Sequence, residues 1–90
     1  MENRQKLELM YKIVRELDDL KNSQTAVLKK LSQIEADNIN LGEKILEEHL
    51  PGIHEEVDAS VEKTSILLEQ FTAIRNEFEQ KNPLPATETV

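Results

Sequence analysis

An all-α fold is predicted by the composition of this 90-residue chain, by the spacing of its apolar side chains and by its few turn-forming residues. Leu, Ile, Glu, Lys, Gln and Asn dominate, whereas only two glycines, three prolines, one tyrosine and two phenylalanines occur. Such a composition favours helices over strands. A chain of this length forms one small domain, whose core is modest unless it associates with another chain.

The first predicted helix carries mostly apolar side chains at spacings that alternate between three and four residues, as at the a and d positions of a coiled coil. Three further apolar residues, Leu7, Val14 and Leu28, fall at e positions, so the stripe is wider than a two-stranded coiled coil needs. We expect three or more helices to meet along it, although an ordinary monomeric bundle would show the same periodicity. The a and d series is Met10, Ile13, Leu17, Leu20, Gln24, Val27, Leu31, Ile34, Asn38, Leu41 and Ile45.

A second helix repeats this pattern after a turn that we place at Pro51 and Gly52. Proline disfavours helical geometry at Leu50, and glycine accepts the positive φ that a reversal requires. The prediction is a long antiparallel, coiled-coil-like hairpin within a single domain over residues 1–80, with helices at about 3–49 and about 53–80. Residues 81–90 hold two prolines and no apolar period, so we expect a disordered tail. The second series is Ile53, Val57, Ser60, Thr64, Leu67, Phe71, Ile74 and Phe78.

Helices with these bounds have unequal lengths, roughly 70 Å and 40 Å, so the apolar stripe of residues 7–20 would stay bare. Either the first helix breaks near Ser23 and forms a three-helix bundle, or two hairpins form a dimeric helical bundle. We favour the homodimer because the periodicity continues through Gln24. At a positions, Gln24 and Asn38 are expected to set the register of the association. The predicted anchors for self-association or for a partner helix are Leu7, Met10, Tyr11, Val14 and Leu17.

The two histidines lie among carboxylates around the predicted turn, which raises the question of a metal site. His54 and Asp58 are four residues apart, and His49 could join them across the turn. However, a histidine near a helix C-terminus and acids near a helix N-terminus also complement the helix dipoles. No HExxH motif or Glu-x-x-His pair is present. We expect no metal and no cofactor, and a pH-sensitive corner remains an alternative.

Motifs for catalysis are missing as well, so we expect that the chain is not an enzyme. It has no cysteine, no glycine-rich phosphate loop and no GxSxG element. No apolar segment approaches the length of a membrane span, and Met1 is followed by polar residues, so we expect a cytoplasmic chain without membrane contact.

Charge is distributed unevenly along the chain. Residues 1–31 hold seven basic and five acidic side chains, a net +2, whereas residues 32–90 hold four basic and thirteen acidic ones, a net −9. The early basic residues are interleaved with acids, so direct nucleic-acid binding is not expected.

The resulting functional expectation is a protein-protein interaction module: a small self-associating coiled-coil adaptor, assembly subunit or chaperone-like subunit that binds another helical protein through its N-terminal third. The alternative is an acidic inhibitor or antirepressor that imitates the charge of nucleic acid and blocks a DNA-binding regulator. The acids that would carry this mimicry are Glu47, Glu48, Glu55, Glu56, Asp58, Glu62 and Glu69.

Overall fold

Two long helices packed as an antiparallel hairpin make up the fold, which confirms the predicted all-α class. The computed structural model describes residues 1–82, in which helix α1 spans Asn3–Leu41 and helix α2 spans Lys44–Lys81. The molecule measures 65 × 22 × 18 Å, as expected for two helices lying side by side. Of the predicted tail, Lys81 ends α2, and residues 83–90 lie outside the described part of the chain.

The reversal between the helices occurs at Gly42 and depends on Asn38. Gly42 has φ of +72°, the left-handed conformation in which glycine avoids the clash of a Cβ atom, and its N–H donates to the Asn38 carbonyl at 2.7 Å. The Asn38 side chain binds Glu43 twice: Nδ2 donates to the Glu43 carbonyl at 3.1 Å, and Oδ1 accepts from the Glu43 N–H at 3.0 Å. Asn38 is only 5% exposed, so its amide holds the turn from inside.

The predicted turn at Pro51 and Gly52 is therefore wrong, as are the helix bounds of about 3–49 and about 53–80. Pro51 lies in the second turn of α2, where it removes one backbone hydrogen bond at a cost of about 3 kcal/mol. Gly52 is helical, without the positive φ that a reversal would require. Because the turn lies at Gly42, the helices have 39 and 38 residues and cover each other along nearly their whole lengths.

Two further expectations are wrong because the turn lies at Gly42 and the helices are nearly equal in length. Helix α1 runs without interruption through Ser23, so the alternative break and three-helix bundle do not occur. The stripe of residues 7–20 is not bare either, because α2 extends far enough to cover it, and Leu7 is only 1% exposed.

The seam between the helices consists of two columns of buried or half-buried side chains on each helix, each column repeating every seven residues. On α1 the columns occupy the a and e positions, so the wide stripe seen in the sequence is used, although not as an a and d seam. The α1 columns are Met10, Leu17, Gln24, Leu31, Asn38 and Leu7, Val14, Lys21, Leu28, Glu35. The α2 columns are Leu50, Val57, Thr64, Phe71, Phe78 and His54, Val61, Leu68, Arg75.

Polar contacts across the seam fix the register of the helices. Gln24 Nε2 donates to Ser60 Oγ at 2.8 Å, and the Tyr11 hydroxyl donates to the Glu79 carboxylate at 2.7 Å. At the open end, Asn3 Nδ2 donates to the side-chain oxygen of Asn82 at 2.7 Å. In these pairs the residue numbers add to 84, 90 and 85, so residues whose numbers add to about 87 lie side by side.

The location of the turn predicts opposite effects for alanine at the two glycines. Gly42→Ala should lower the free energy of unfolding by about 1 kcal/mol, because alanine pays a steric penalty at positive φ. Gly52→Ala should raise it by roughly 0.5–1 kcal/mol, because alanine loses less backbone entropy in a helix, and a Cβ atom there has no neighbour within 4 Å.

Urea unfolding followed by circular dichroism, with both variants at one protein concentration, measures the difference. The reversed order of stabilities would place the turn at residues 51–52 after all.

Candidate functional site

A third column of apolar side chains on α1 lies beside the seam and remains accessible. Leu20 is 48% exposed and Val27 is 50% exposed, and the other members range from half-buried Ile13 to Leu41, which is 68% exposed. These residues occupy the d positions of the series found in the sequence, so they recur every seven residues, or about 10.5 Å. The column consists of Ile13, Leu20, Val27, Ile34 and Leu41.

Helix α2 carries a matching column with the same period. Leu67 is 51% exposed and Ile74 is 53% exposed, whereas Leu46 and Ser60 are half-buried. All members except Ser60 are apolar. The column consists of Leu46, Ile53, Ser60, Leu67 and Ile74.

Both columns lie on the same side of the hairpin, as the helix geometry requires. In each helix the column follows a seam column by three residues: Leu20 follows Leu17, and Leu67 follows Thr64. Three residues correspond to a rotation of about 60° away from the seam. Because the helices are antiparallel and their seams face each other, equal rotations turn both columns toward one side. We call the two columns together the open face.

The open face is built in five layers, because the two columns have the same period and the register pairs residues whose numbers add to about 87. The face extends for about 40 Å along the hairpin, from Ile13 to Leu41, at 1.5 Å per residue. Only the middle layer contains a polar member. The layers are Ile13 with Ile74, Leu20 with Leu67, Val27 with Ser60, Ile34 with Ile53, and Leu41 with Leu46.

The opposite side of the hairpin carries polar contacts between the helices. The guanidinium carbon of Arg75 lies 4.4 Å from the centre of the Tyr11 ring, a cation-π contact. The two carboxylate oxygens of Glu79 lie 2.7 and 2.8 Å from the Tyr11 hydroxyl. This hydrogen bond, together with partial burial and the negative charge of Glu79, raises the pKa of Tyr11 above its ordinary value of 10.0, although Arg75 works in the other direction.

Nearer the turn, His54 Nδ1 lies 2.5 Å from Glu35 Oε1 across the same polar side. This pair borders an open groove of about 450 Å³ that is also lined by Ile39 and Pro51. His54 is thus paired with α1 and not with the neighbouring Asp58. Within residues 1–82, no three side chains of His, Asp or Glu converge to form a metal site.

The residues predicted to anchor a partner lie mostly in the hairpin's own seam. Leu7 is buried, and Met10, Val14 and Leu17 are half-buried seam residues. Tyr11 is half-buried on the polar side. Their role in binding a partner stays a prediction, but Leu7 is not accessible to one.

The two polar residues predicted to set register, Gln24 and Asn38, make different contacts within the hairpin. Asn38 holds the turn within one chain, as described above. Gln24 bonds Ser60 through its Nε2, whereas its Oε1 is buried without a hydrogen-bond partner. Gln24 therefore contributes to the alignment of α1 with α2 at the level next to the middle layer.

The sequence predicts the members of the open face as part of an apolar stripe along which three or more helices meet, but it does not separate them from the seam of the hairpin. Leu20, Val27 and Ile34 were read as d residues facing an opposing helix, and the α2 column was read in the same way. The available signal was the width of the stripe, since three apolar columns are more than one neighbouring helix can cover.

Comparison of the chain with protein-family models, curated proteins and solved structures finds no match. Neither helix within residues 1–82 combines the length and apolar character that crossing a membrane requires.

Titration of Tyr11 tests the alignment of the helices, because it is the only tyrosine and the chain has no tryptophan. The tyrosinate absorbance should rise with a midpoint above pH 10.0, and Glu79→Gln should move this midpoint toward 10.0. Because the folded-state pKa is raised, the contact stabilises the fold at pH values below the unfolded pKa and is lost as pH rises through the folded pKa.

Glu77→Gln, two residues away on α2, is the matched control and should leave the midpoint in place. An unshifted Tyr11, or equal effects of the two variants, would contradict the pairing of Tyr11 with Glu79.

Proposed function

We propose that this chain is a non-enzymatic protein-interaction module that binds α-helical partner surfaces through its open face. The observation that carries the proposal is the pair of apolar columns on one side of the hairpin, with Leu20, Val27, Leu67 and Ile74 each about half exposed. An accessible apolar surface of this length is typical of sites of protein association. The chain would act as a small coiled-coil adaptor or assembly subunit.

A helical partner is favoured by the period of the open face. Apolar side chains recur every seven residues on both helices, which is the spacing that interlocks with the side chains of another helix. The two columns run side by side along the hairpin axis, so a helix lying along the open face would contact α1 and α2 together. This arrangement moves the proposed anchors from the N-terminal third to the length of the hairpin.

The positions of the ionisable groups support a non-enzymatic role. Acid-base catalysis needs a carboxylate or histidine held in a partly dry pocket near a substrate site. The α2 acids Glu48, Glu55, Glu62 and Glu69 are exposed to water, and His54 is already paired with Glu35. The absence of cysteine fits work in a reducing compartment such as the cytoplasm.

Mimicry of nucleic acid is the less favoured function. Of the seven exposed acids expected to carry it, four form one row on α2 with successive members about 10.5 Å apart: Glu48, Glu55, Glu62 and Glu69. A DNA strand carries one phosphate for about every 3.4 Å of rise, so this row supplies about a third of the required charge density. Moreover, mimicry gives no role to the open face.

Site-specific photocrosslinking in the native host tests the proposed surface. A benzophenone side chain at Val27 should form crosslinks, because Val27 lies at the middle of the open face. The same group at Gln33, which is exposed on the outer surface of α1, is the matched control and should form none. Equal yields at the two positions, or none at Val27, would overturn the proposal.

The affinity of a crosslinked protein, once purified, should then fall at least about tenfold when Leu20 is replaced by Glu, because a charge must be buried. The affinity should change little between low and high salt. A steep loss of affinity with salt, together with indifference to Leu20→Glu, would favour mimicry instead.

A further inference from the structure

We propose that the open face is covered by a second copy of this chain, which produces a four-helix bundle with both turns at the same end. The inference rests on the proposed function, because it names the helical surface that the open face binds. Area, apolar layering and charge support it, and each is independent of the others.

The area is sufficient for a stable dimer. The open face is about 40 Å long, and two helices side by side are about 20 Å wide, so each copy offers roughly 800 Å². A standard interface buries about 800 Å² per partner. A single helix on the open face would leave the outer flanks of both columns in water, whereas a second hairpin covers both.

Two arrangements with two-fold symmetry bring open faces together. If the symmetry axis runs along the helices, both turns lie at the same end, and α1 of one copy packs on α2 of the other at the same level. If the axis runs across the helices, the turns lie at opposite ends, and α1 packs on α1. In both arrangements the five layers of one open face can lie opposite the five layers of the other, so the apolar side chains do not distinguish them.

Charge at the rim of the open face distinguishes them. The rim residues lie beside the open columns on the side away from the seam, and their levels follow from the register of the hairpin. With the turns at the same end, Lys30 meets Glu56 of the second copy, and Asp37 meets His49. The remaining rim contacts in this arrangement are Ser23 with Lys63, Glu16 with Gln70 and Leu9 with Glu77, so no like charges face each other.

The opposite arrangement creates a repulsion. When α1 packs on α1 with all five layers matched, residues whose numbers add to about 54 lie at the same level. Asp37 then faces Glu16 of the second copy, and symmetry produces this contact twice. On α2, where the numbers add to about 120, Glu56 faces Lys63 of the second copy, also twice. Like charges held together at an interface oppose association, so the contacts between Asp37 and Glu16 offset the attraction between Glu56 and Lys63. The arrangement with both turns at one end has the attractive contacts between Lys30 and Glu56 and no repulsive ones, and it is therefore favoured.

Sedimentation equilibrium with two neighbouring variants tests the dimer. Leu67 is 51% exposed on the open face, whereas Ile66 is 47% exposed on the outer surface of α2. The wild-type chain should be a dimer. Leu67→Glu should raise the dissociation constant of the dimer at least about 100-fold, because symmetry buries two charges in the interface. Ile66→Glu should leave the dissociation constant unchanged.

A second pair of variants repeats the test at another level of the open face: Val27→Glu should weaken association and Gln33→Glu should not. Circular dichroism on all samples shows whether a variant that fails to associate is still folded. A wild-type chain that stays monomeric at millimolar concentration, or equal weakening by Leu67→Glu and Ile66→Glu, overturns the inference. If the chain is monomeric while a benzophenone at Val27 crosslinks a different protein, the proposed function stands and only the second copy is excluded.

The orientation is tested with one spin label per chain. The chain has no cysteine, so Glu43→Cys provides a unique attachment site at the turn. Turns at the same end should give a distance between the two labels of less than about 30 Å, whereas turns at opposite ends should give about 50 Å, from a rise of 1.5 Å per residue. The longer distance would overturn the proposed orientation.

Discussion

The left-handed turn at Gly42 is the constraint on which the rest of the hairpin depends. It divides residues 3–81 almost equally, so each helix has a partner along its whole length. Asn38 makes the turn specific by occupying both the N–H and the carbonyl of Glu43 from a buried position. A turn nine residues later would remove the cover from Leu7 and from the beginning of the seam. The free energy of that burial outweighs the unfavourable placement of Pro51 within α2.

A two-helix hairpin has a geometric limit that explains the open face. Each helix surrounds its neighbour only partly, so two columns per helix can face inward while a third turns outward. Here the third column has the same seven-residue period as the seam on both helices. The antiparallel arrangement places both third columns on one side, and the result is one continuous surface instead of two separate stripes.

Much of the fold follows from the sequence, but the location of the turn does not. The periodicity correctly predicts two antiparallel helices and an apolar stripe too wide for one neighbour. The turn was misplaced because local preference favours Pro51 and Gly52, whereas the glycine that reverses the chain is Gly42. Which glycine reverses the chain is decided by the total burial along both helices, a non-local quantity. The same error left the region around Leu7 uncovered in the predicted hairpin, although Leu7 is buried in the structure.

The polar side of the hairpin aligns the two helices, and the open face is the surface proposed for association. On the polar side, Tyr11 with Glu79 and Glu35 with His54 connect α1 to α2, and these contacts specify one register because a slip would separate every pair. The alignment of the helices therefore needs few polar groups on the open face, where only Ser60 interrupts the apolar layers. Such a surface gains free energy when apolar side chains leave water and loses little by stripping water from polar groups. Because the register also fixes the levels of Lys30 and Glu56 relative to each other, contacts within one chain determine which charges a second chain would meet. The polar side thus contributes to the proposed specificity of a surface that it does not touch.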